Sequence, residues 1–214
     1  PITVHSDISL FGSNTHELLT SPINVDEGIF SINVSSGSGK FAITKDSVDG
    51  SFTLPSVIST FNGVNLVLTG LEFTTDMVRK TGDQWVGSGS SSIGKLNLSE
   101  SKERVAVDNI RASFESSITG KNDLMRVSST LSFGKVDIAM FILGQPISFG
   151  GMTFESSMKN FDMPTYAALV EALYLQRFNP KDRYVQAEVM RLSRQLVASK
   201  PEMAIDSFTI DHGD

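Results

Sequence analysis

The sequence predicts an α+β, β-dominated domain: an extended, twisted antiparallel sheet with two C-terminal helices packed on it. Three observations point there. Apolar residues step in twos through roughly the first 160 residues, hairpin-type dipeptides punctuate them, and two late segments space their apolar residues in threes and fours.

The clearest strand is Val64 to Phe73, where Val64, Leu66 and Leu68 alternate with polar or smaller neighbours before Gly70. Further strands are expected over Gly28 to Val34, Phe41 to Lys45, Trp85 to Leu98, Val105 to Thr119, Leu124 to Ala139 and Ile147 to Met158. Breaks are expected at Gly37 to Gly39, Asp49-Gly50, Asn62-Gly63, Thr81-Gly82-Asp83, Gly120 to Asp123 and Gly150-Gly151. Asn-Gly and Asp-Gly supply the positive φ of tight hairpin turns, so the spacing indicates an antiparallel meander. One plan recurs in 66–73, 105–114, 147–154 and 203–210: alternating apolar residues, a small or polar step, then another alternating pair. It reads as a bulge or twist point repeated across one sheet.

Asp162 can cap a helix over about 163–176 that gathers Ala167, Val170 and Tyr174, with Leu169 and Leu173, on one face. Asn179, with Pro180 at the first helical position, opens a second over about 180–198, where Val185, Val189, Leu192 and Leu196 recur at helical spacing. Pro201 ends it, and Met203 to Ile210 returns to the sheet as a strand. A short helical turn is also expected after Asn14, through His16 to Leu19.

At 214 residues, with 40% hydrophobic and 20% charged side chains, a single β-rich domain over 1–214 is expected. The net charge of -6 and pI near 5.1 argue against sequence-nonspecific nucleic-acid binding, which needs Lys and Arg to neutralise phosphates. Charge is uneven: residues 177–200 hold six basic and two acidic residues, whereas residues 1–60 hold two Lys and six acids. Zero cysteine removes disulfides, thiolate catalysis and zinc–thiolate sites. No apolar run approaches the roughly 18 to 20 residues that span a bilayer. The chain opens at Pro1 without Met or signal peptide, and is read as a fragment of a longer envelope protein.

Motifs for chemistry are incomplete. His16-Glu17 opens like a zinc-protease helix, but Thr20 stands where the second histidine belongs. Gly39-Lys40 ends like a phosphate loop, but Val34 and Phe41 occupy the positions of its first Gly and last Ser or Thr. Ser-x-x-Lys occurs at Ser92/Lys95, Ser99/Lys102, Ser132/Lys135 and Ser156/Lys159, all in expected strands or turns and not at the helix start that serine acyl transfer uses. Asp46, Asp49 and Gly50 lack the alternating oxygen ligands of a calcium loop. Asp206 and Asp211 flank the last strand without an evident partner acid or base, and His5, His16 and His212 lie at the chain ends. No catalytic residue, cofactor or metal site is therefore expected. Trp85, leaving a turn, is either a core aromatic or an anchor for a partner. The helix from Lys181 to Ala198 pairs an apolar stripe with a cationic remainder, which makes Arg183, Arg191 and Arg194 candidates for contact with a partner or an anionic membrane surface.

Gly82 to Leu98 with Trp85, Gly150-Gly151-Met152-Thr153-Phe154 leading into Asn160-Phe161-Asp162-Met163 and the helix Tyr166 to Leu173, and Pro201-Glu202-Met203-Ala204-Ile205-Asp206 carry a family resemblance. Over roughly residues 40 to 214 the chain resembles the YdgA-like family of bacterial envelope proteins of unknown function. The resemblance implies a periplasmic domain anchored in the inner membrane by a segment outside this sequence, and it implies no catalytic residues. The resulting expectation is a non-enzymatic periplasmic scaffold that binds a protein partner or a second copy of itself as a homodimer, through a sheet edge or helix face. The alternatives are a carrier sheltering a lipid or other hydrophobic ligand in a concave sheet, and an uncommon hydrolase.

Overall fold

The computed structural model describes residues 2–8, 14–80, 84–119 and 124–211. In chain order the strands are β1 (Ile2–Ile8), β2 (Asn14–Thr20), β3 (Ile23–Asp26), β4 (Phe30–Val34), β5 (Gly37–Ile43), β6 (Ser47–Phe61), β7 (Val64–Arg79), β8 (Trp85–Glu100), β9 (Glu103–Thr119), β10 (Leu124–Phe133), β11 (Val136–Ala139), β12 (Ile147–Phe149) and β13 (Met152–Phe161). Helices α1 (Met163–Phe178) and α2 (Arg183–Ala198) follow, and β14 (Glu202–Ile210) ends the series. Strand makes up 66% of the structure, in one antiparallel sheet that does not close.

The sheet order is β1-β2-β5-β6-β7-β8-β9-β10-β13-β14. One half of β6 instead borders β4 and then β3, and one half of β9 borders β11 and then β12. The four central strands β6 to β9, 15 to 17 residues each and so roughly 50 Å long, are thus shared by two tiers. One tier is ten strands wide and the other eight.

The tiers meet along Pro55, Gly70, Gly94 and Asn109, where neighbouring ladders skip a pair without changing register. Gly70 (φ 64°) and Asn109 (φ 54°) are left-handed there, a conformation that Gly and Asn tolerate and most side chains resist. Strict up–down alternation does not carry across such a residue. The apolar series changes parity at this line, passing from Leu68 to Leu71 in β7 and from Val107 to Ile110 in β9. This is the recurrent small or polar step of the sequence. At Gly150-Gly151 it becomes the gap between β12 and β13, and in β14 it is a true bulge at Asp206, where the register against Glu155 and Ser156 shifts.

Two expected breaks lie inside strands. Gly37 to Gly39 belongs to β5 and Asp49-Gly50 to β6, because a missing Cβ makes room for an aromatic ring lying flat on the sheet. A Cβ on Gly39 would stand 3.0 Å from the Phe52 ring and one on Gly37 2.9 Å from it, while one on Gly50 would collide with Phe41. The Asn62-Gly63 hairpin is present, with φ of 49° and 85° as a type I′ turn requires. The helical turn expected over 14–19 is instead strand β2, laddered along its whole length to β1 and β5. Pairing on both sides outweighs the local preference. Strands β1, β3 and most of β6 go beyond the sequence expectation, and the expected turns at 81–83 and 120–123 lie outside the described residues.

Asp162 caps α1, accepting from the Thr165 backbone N–H at 3.0 Å and from the Thr165 hydroxyl at 2.6 Å. The cap of α2 is Asp182, not Asn179, and the helix starts at Arg183: the Asp182 carboxylate accepts from the N–H groups of Tyr184 at 2.8 Å and Val185 at 3.4 Å. The stripe Val185, Val189, Leu192 and Leu196 turns inward, with Leu192 3% exposed. Its partner is α1, which buries Thr165 and Ala172 and half-buries Ala168 and Leu169, leaving Val170, Leu173 and Tyr174 exposed, contrary to the expected face. Small residues let the helices approach closely, and the Gln195 amide donates to Thr165 Oγ1 at 2.7 Å across them. The helical hairpin meets the sheet through the first turns of α1.

Candidate functional site

Because paired residues of an antiparallel ladder share a face, the registers map the ten-strand tier side by side. One line across all ten strands reads Val4, Leu18, Gly39, Phe52, Phe73, Ser91, Ala112, Leu131, Phe154 and Phe208. The adjacent line, one residue along each strand and therefore on the other face, reads His5, Glu17, Lys40, Ser51, Thr74, Ser90, Ser113, Thr130, Glu155 and Ser207. The first face is apolar, and the second is hydroxyl and charge.

The apolar face is covered at one end only. There Met163, Pro164 and Ala167 of α1 stand over Met77, Trp85, Phe114, Met125 and Val127, enclosing a cavity of about 450 Å³. Phe161, across the ladder from Met125, packs on Tyr166 of α1 with ring centroids 5.1 Å apart. A second hollow of about 410 Å³ shares Val127 and runs on past Phe154 and Met158 to Met203 and Ile205 of the edge strand. Beyond the helices the face lies open: Phe73 is 41% exposed, Ile205 69% and Met203 84%. Several hydroxyls on this face are satisfied by one another or by the backbone. Ser129 and Ser156 are 2.8 Å apart, and Ser116 bonds both the N–H and the carbonyl of Gly87. What remains toward solvent is mostly hydrocarbon and aromatic ring, with Ser91 an exposed hydroxyl among them.

The total accessible surface, both faces and the edges together, is correspondingly large. A compact monomer of 23.2 kDa exposes roughly 9,700 Å², whereas this chain exposes 14482 Å². The excess, on the order of 5,000 Å², is several times the roughly 800 Å² that each partner contributes to a standard interface.

Trp85 sits half-buried at the start of β8, opposite Arg79, in the wall of the helix–sheet cavity. Arg191 is held by Glu188, with N–O distances of 2.6 and 2.8 Å, and by Gln195 at 3.1 Å. That bond is why the Glu188 carboxyl lies below, and the Arg191 guanidinium above, its ordinary value. Arg183 and Arg194 are exposed on the outer side of α2. The structure therefore does not bring the four candidates together: Trp85 faces inward, and the arginines decorate the hairpin. The open sheet face is the feature that reading by motif misses. Alternation signals it in each strand, but its continuity emerges only from the register.

The remaining candidates for chemistry stay apart. Ser6 Oγ and His16 Nδ1 are 2.9 Å apart across β1 and β2, but Asp7 and Glu17, the acids of those strands, lie on the opposite face, across from Thr15 and His5, and do not orient the ring. Asp49 and Gly50 lie mid-strand, facing Asp76 and Thr75. Lys95 and Lys135 of the Ser-x-x-Lys pairs approach Asp108 at 3.9 Å and Asp137 at 2.9 Å. Asp211 exchanges backbone hydrogen bonds with Gly150 and Gly151, and His212 lies outside the described residues. Among the described residues no group of three or more His, Asp or Glu is placed to hold a metal ion, and no helix is long and apolar enough to cross a membrane.

A family model described as a bacterial protein of unknown function (DUF945) matches residues 1–214. It agrees with the resemblance in pointing to a bacterial family of unknown function and extends it to the first residue, without carrying the YdgA-like name. Neither comparison with curated proteins nor comparison with solved structures gives a match.

Proposed function

We propose that this chain, which belongs to the DUF945 family of bacterial proteins, is a non-enzymatic binding domain of the cell envelope whose open sheet face shelters the acyl chain of a lipid-like ligand. One observation carries the reading: the apolar face continues from strand to strand across the ten-strand tier while the helices roof only one end of it. Apolar surface held in water is unfavourable by roughly 25 cal/mol per Å², so an occupant that covers the open part of this face is stabilised. Flat-lying rings of Phe41, Phe52 and Phe114 over glycines make the floor smooth, which suits a flexible chain without fixed polar groups.

A protein partner added to a sheet edge is the second reading, since β1 and β14 end the strand order. The bulge at Asp206 and the acidic Glu202 in β14 work against it, because bulges and charges blunt an edge for strand addition. Native mass spectrometry of protein purified without detergent separates the two. A mass increment of acyl-lipid size on a monomer is the expected result. A clean dimer free of lipid would transfer the apolar face to a protein interface.

A further inference from the structure

The apolar stripe of α2, which on sequence alone could lie on a membrane, is spent against α1. The opposite end of the hairpin is not. From Leu173 to Tyr184 every residue except Gln176 is exposed, so the tip projects from the body. Three aromatic side chains dominate it: Tyr174 at 62% and Phe178 at 63% exposure, with ring centroids 4.9 Å apart, and, nearest the turn with Phe178, Tyr184 at 88%. Three basic residues, Arg177, Lys181 and Arg183, surround them. The acid among them, Asp182, has its carboxylate turned back onto the N–H groups of Tyr184 and Val185 as the helix cap.

We infer that this tip docks on an anionic lipid bilayer, with Phe178 and Tyr184 entering the headgroup region and Arg177, Lys181 and Arg183 meeting lipid phosphates. Charge decides the occupant. The tip, residues 173–184, carries three basic residues and one acid in a chain of net charge -6, so an anionic surface repels the body and attracts this end, which fixes orientation as well as affinity. The aromatic–basic composition is that of the membrane interface, where Tyr and Trp sit at headgroup level and each Lys or Arg near the surface adds about fivefold to binding. The inference does not require a ligand on the sheet: Phe73→Asp, which spoils the open face, leaves the tip intact.

Sedimentation with vesicles tests it. Wild-type protein is expected to bind phosphatidylglycerol–phosphatidylcholine vesicles, to be released by high salt, and to bind pure phosphatidylcholine poorly. Lys181→Glu with Arg183→Glu, and separately Phe178→Ser with Tyr184→Ser, should each weaken binding at least tenfold with the far-UV circular dichroism unchanged. Lys40→Glu, one such charge reversal on the remote hydroxyl face, should alter it by less than twofold. Indifference to lipid charge, an equal loss from Lys40→Glu, or full binding by both tip variants would overturn the inference.

Discussion

The two faces of the ten-strand tier are made from alternate residues of the same strands, yet they follow opposite rules. On one, Phe52, Phe73, Leu131, Phe154 and Phe208 form a line of hydrocarbon. On the other, Ser51, Thr74, Ser90, Ser113 and Thr130 form a line of hydroxyls, with Thr74 and Ser90 2.7 Å apart. A sheet with both faces solvated needs only the second rule, and a sheet inside a sandwich has a second layer over the first. This sheet has the apolar face of a two-layer protein and the cover of a small hairpin. On the proposed reading the missing layer is supplied by the ligand, which would make the contrast between faces a statement about function and not only about folding.

The contrast can be broken most severely where rings lie over glycines. Gly50→Val places a branched side chain into the Phe41 ring and should cost about 3 kcal/mol in urea unfolding, whereas Ser51→Val, one residue along on the hydroxyl face, should stay within about 0.5 kcal/mol. Equal losses would mean that the faces are not built differently. Leu192→Ala, at the centre of the helix pair, should cost about 2 to 3 kcal/mol. Hydrogen exchange should then localise the loosening to α1 and α2 and spare β7 and β8. Asp162→Ala removes the cap of α1 and the brace on Thr165, for a loss of about 1 kcal/mol, read as a lowered Tm.

The smallest effect concerns pH. The Ser148 hydroxyl, and then Lys135, hold the Asp137 carboxyl below its ordinary value. A depressed carboxylate contributes stability that is present above its unfolded pKa and is lost as pH falls through the folded one. Asp137→Asn should therefore lower Tm slightly at neutral pH and leave it unchanged in acid below the depressed value. The effect is minor because the group is fully exposed and screened.

Much of this architecture can be read from residue order alone. Period-two alternation locates β7, β8, β9 and β13, Asn62-Gly63 places the hairpin between β6 and β7, and Asp162 marks the start of α1. The errors share a cause. Gly37 to Gly39 and Asp49-Gly50 look like turns because glycine is scored for its backbone freedom, but here its missing Cβ matters, and that depends on Phe52 and Phe41 lying opposite. His16 to Leu19 looks helical until β1 and β5 flank it. Trp85, Arg183, Arg191 and Arg194 stand out in the sequence one at a time, by residue type. The open face belongs to no single residue, since it exists only once ten strands are in register.

Phe73 and Thr74 are neighbours in β7 that point to opposite faces, so they offer the sharpest experiment. Titration with a fluorescent fatty acid should show wild-type protein and Thr74→Asp binding alike, and Phe73→Asp binding at least tenfold more weakly. Equal affinity in all three, or equal loss in both variants, would contradict the proposal that the apolar face holds the ligand.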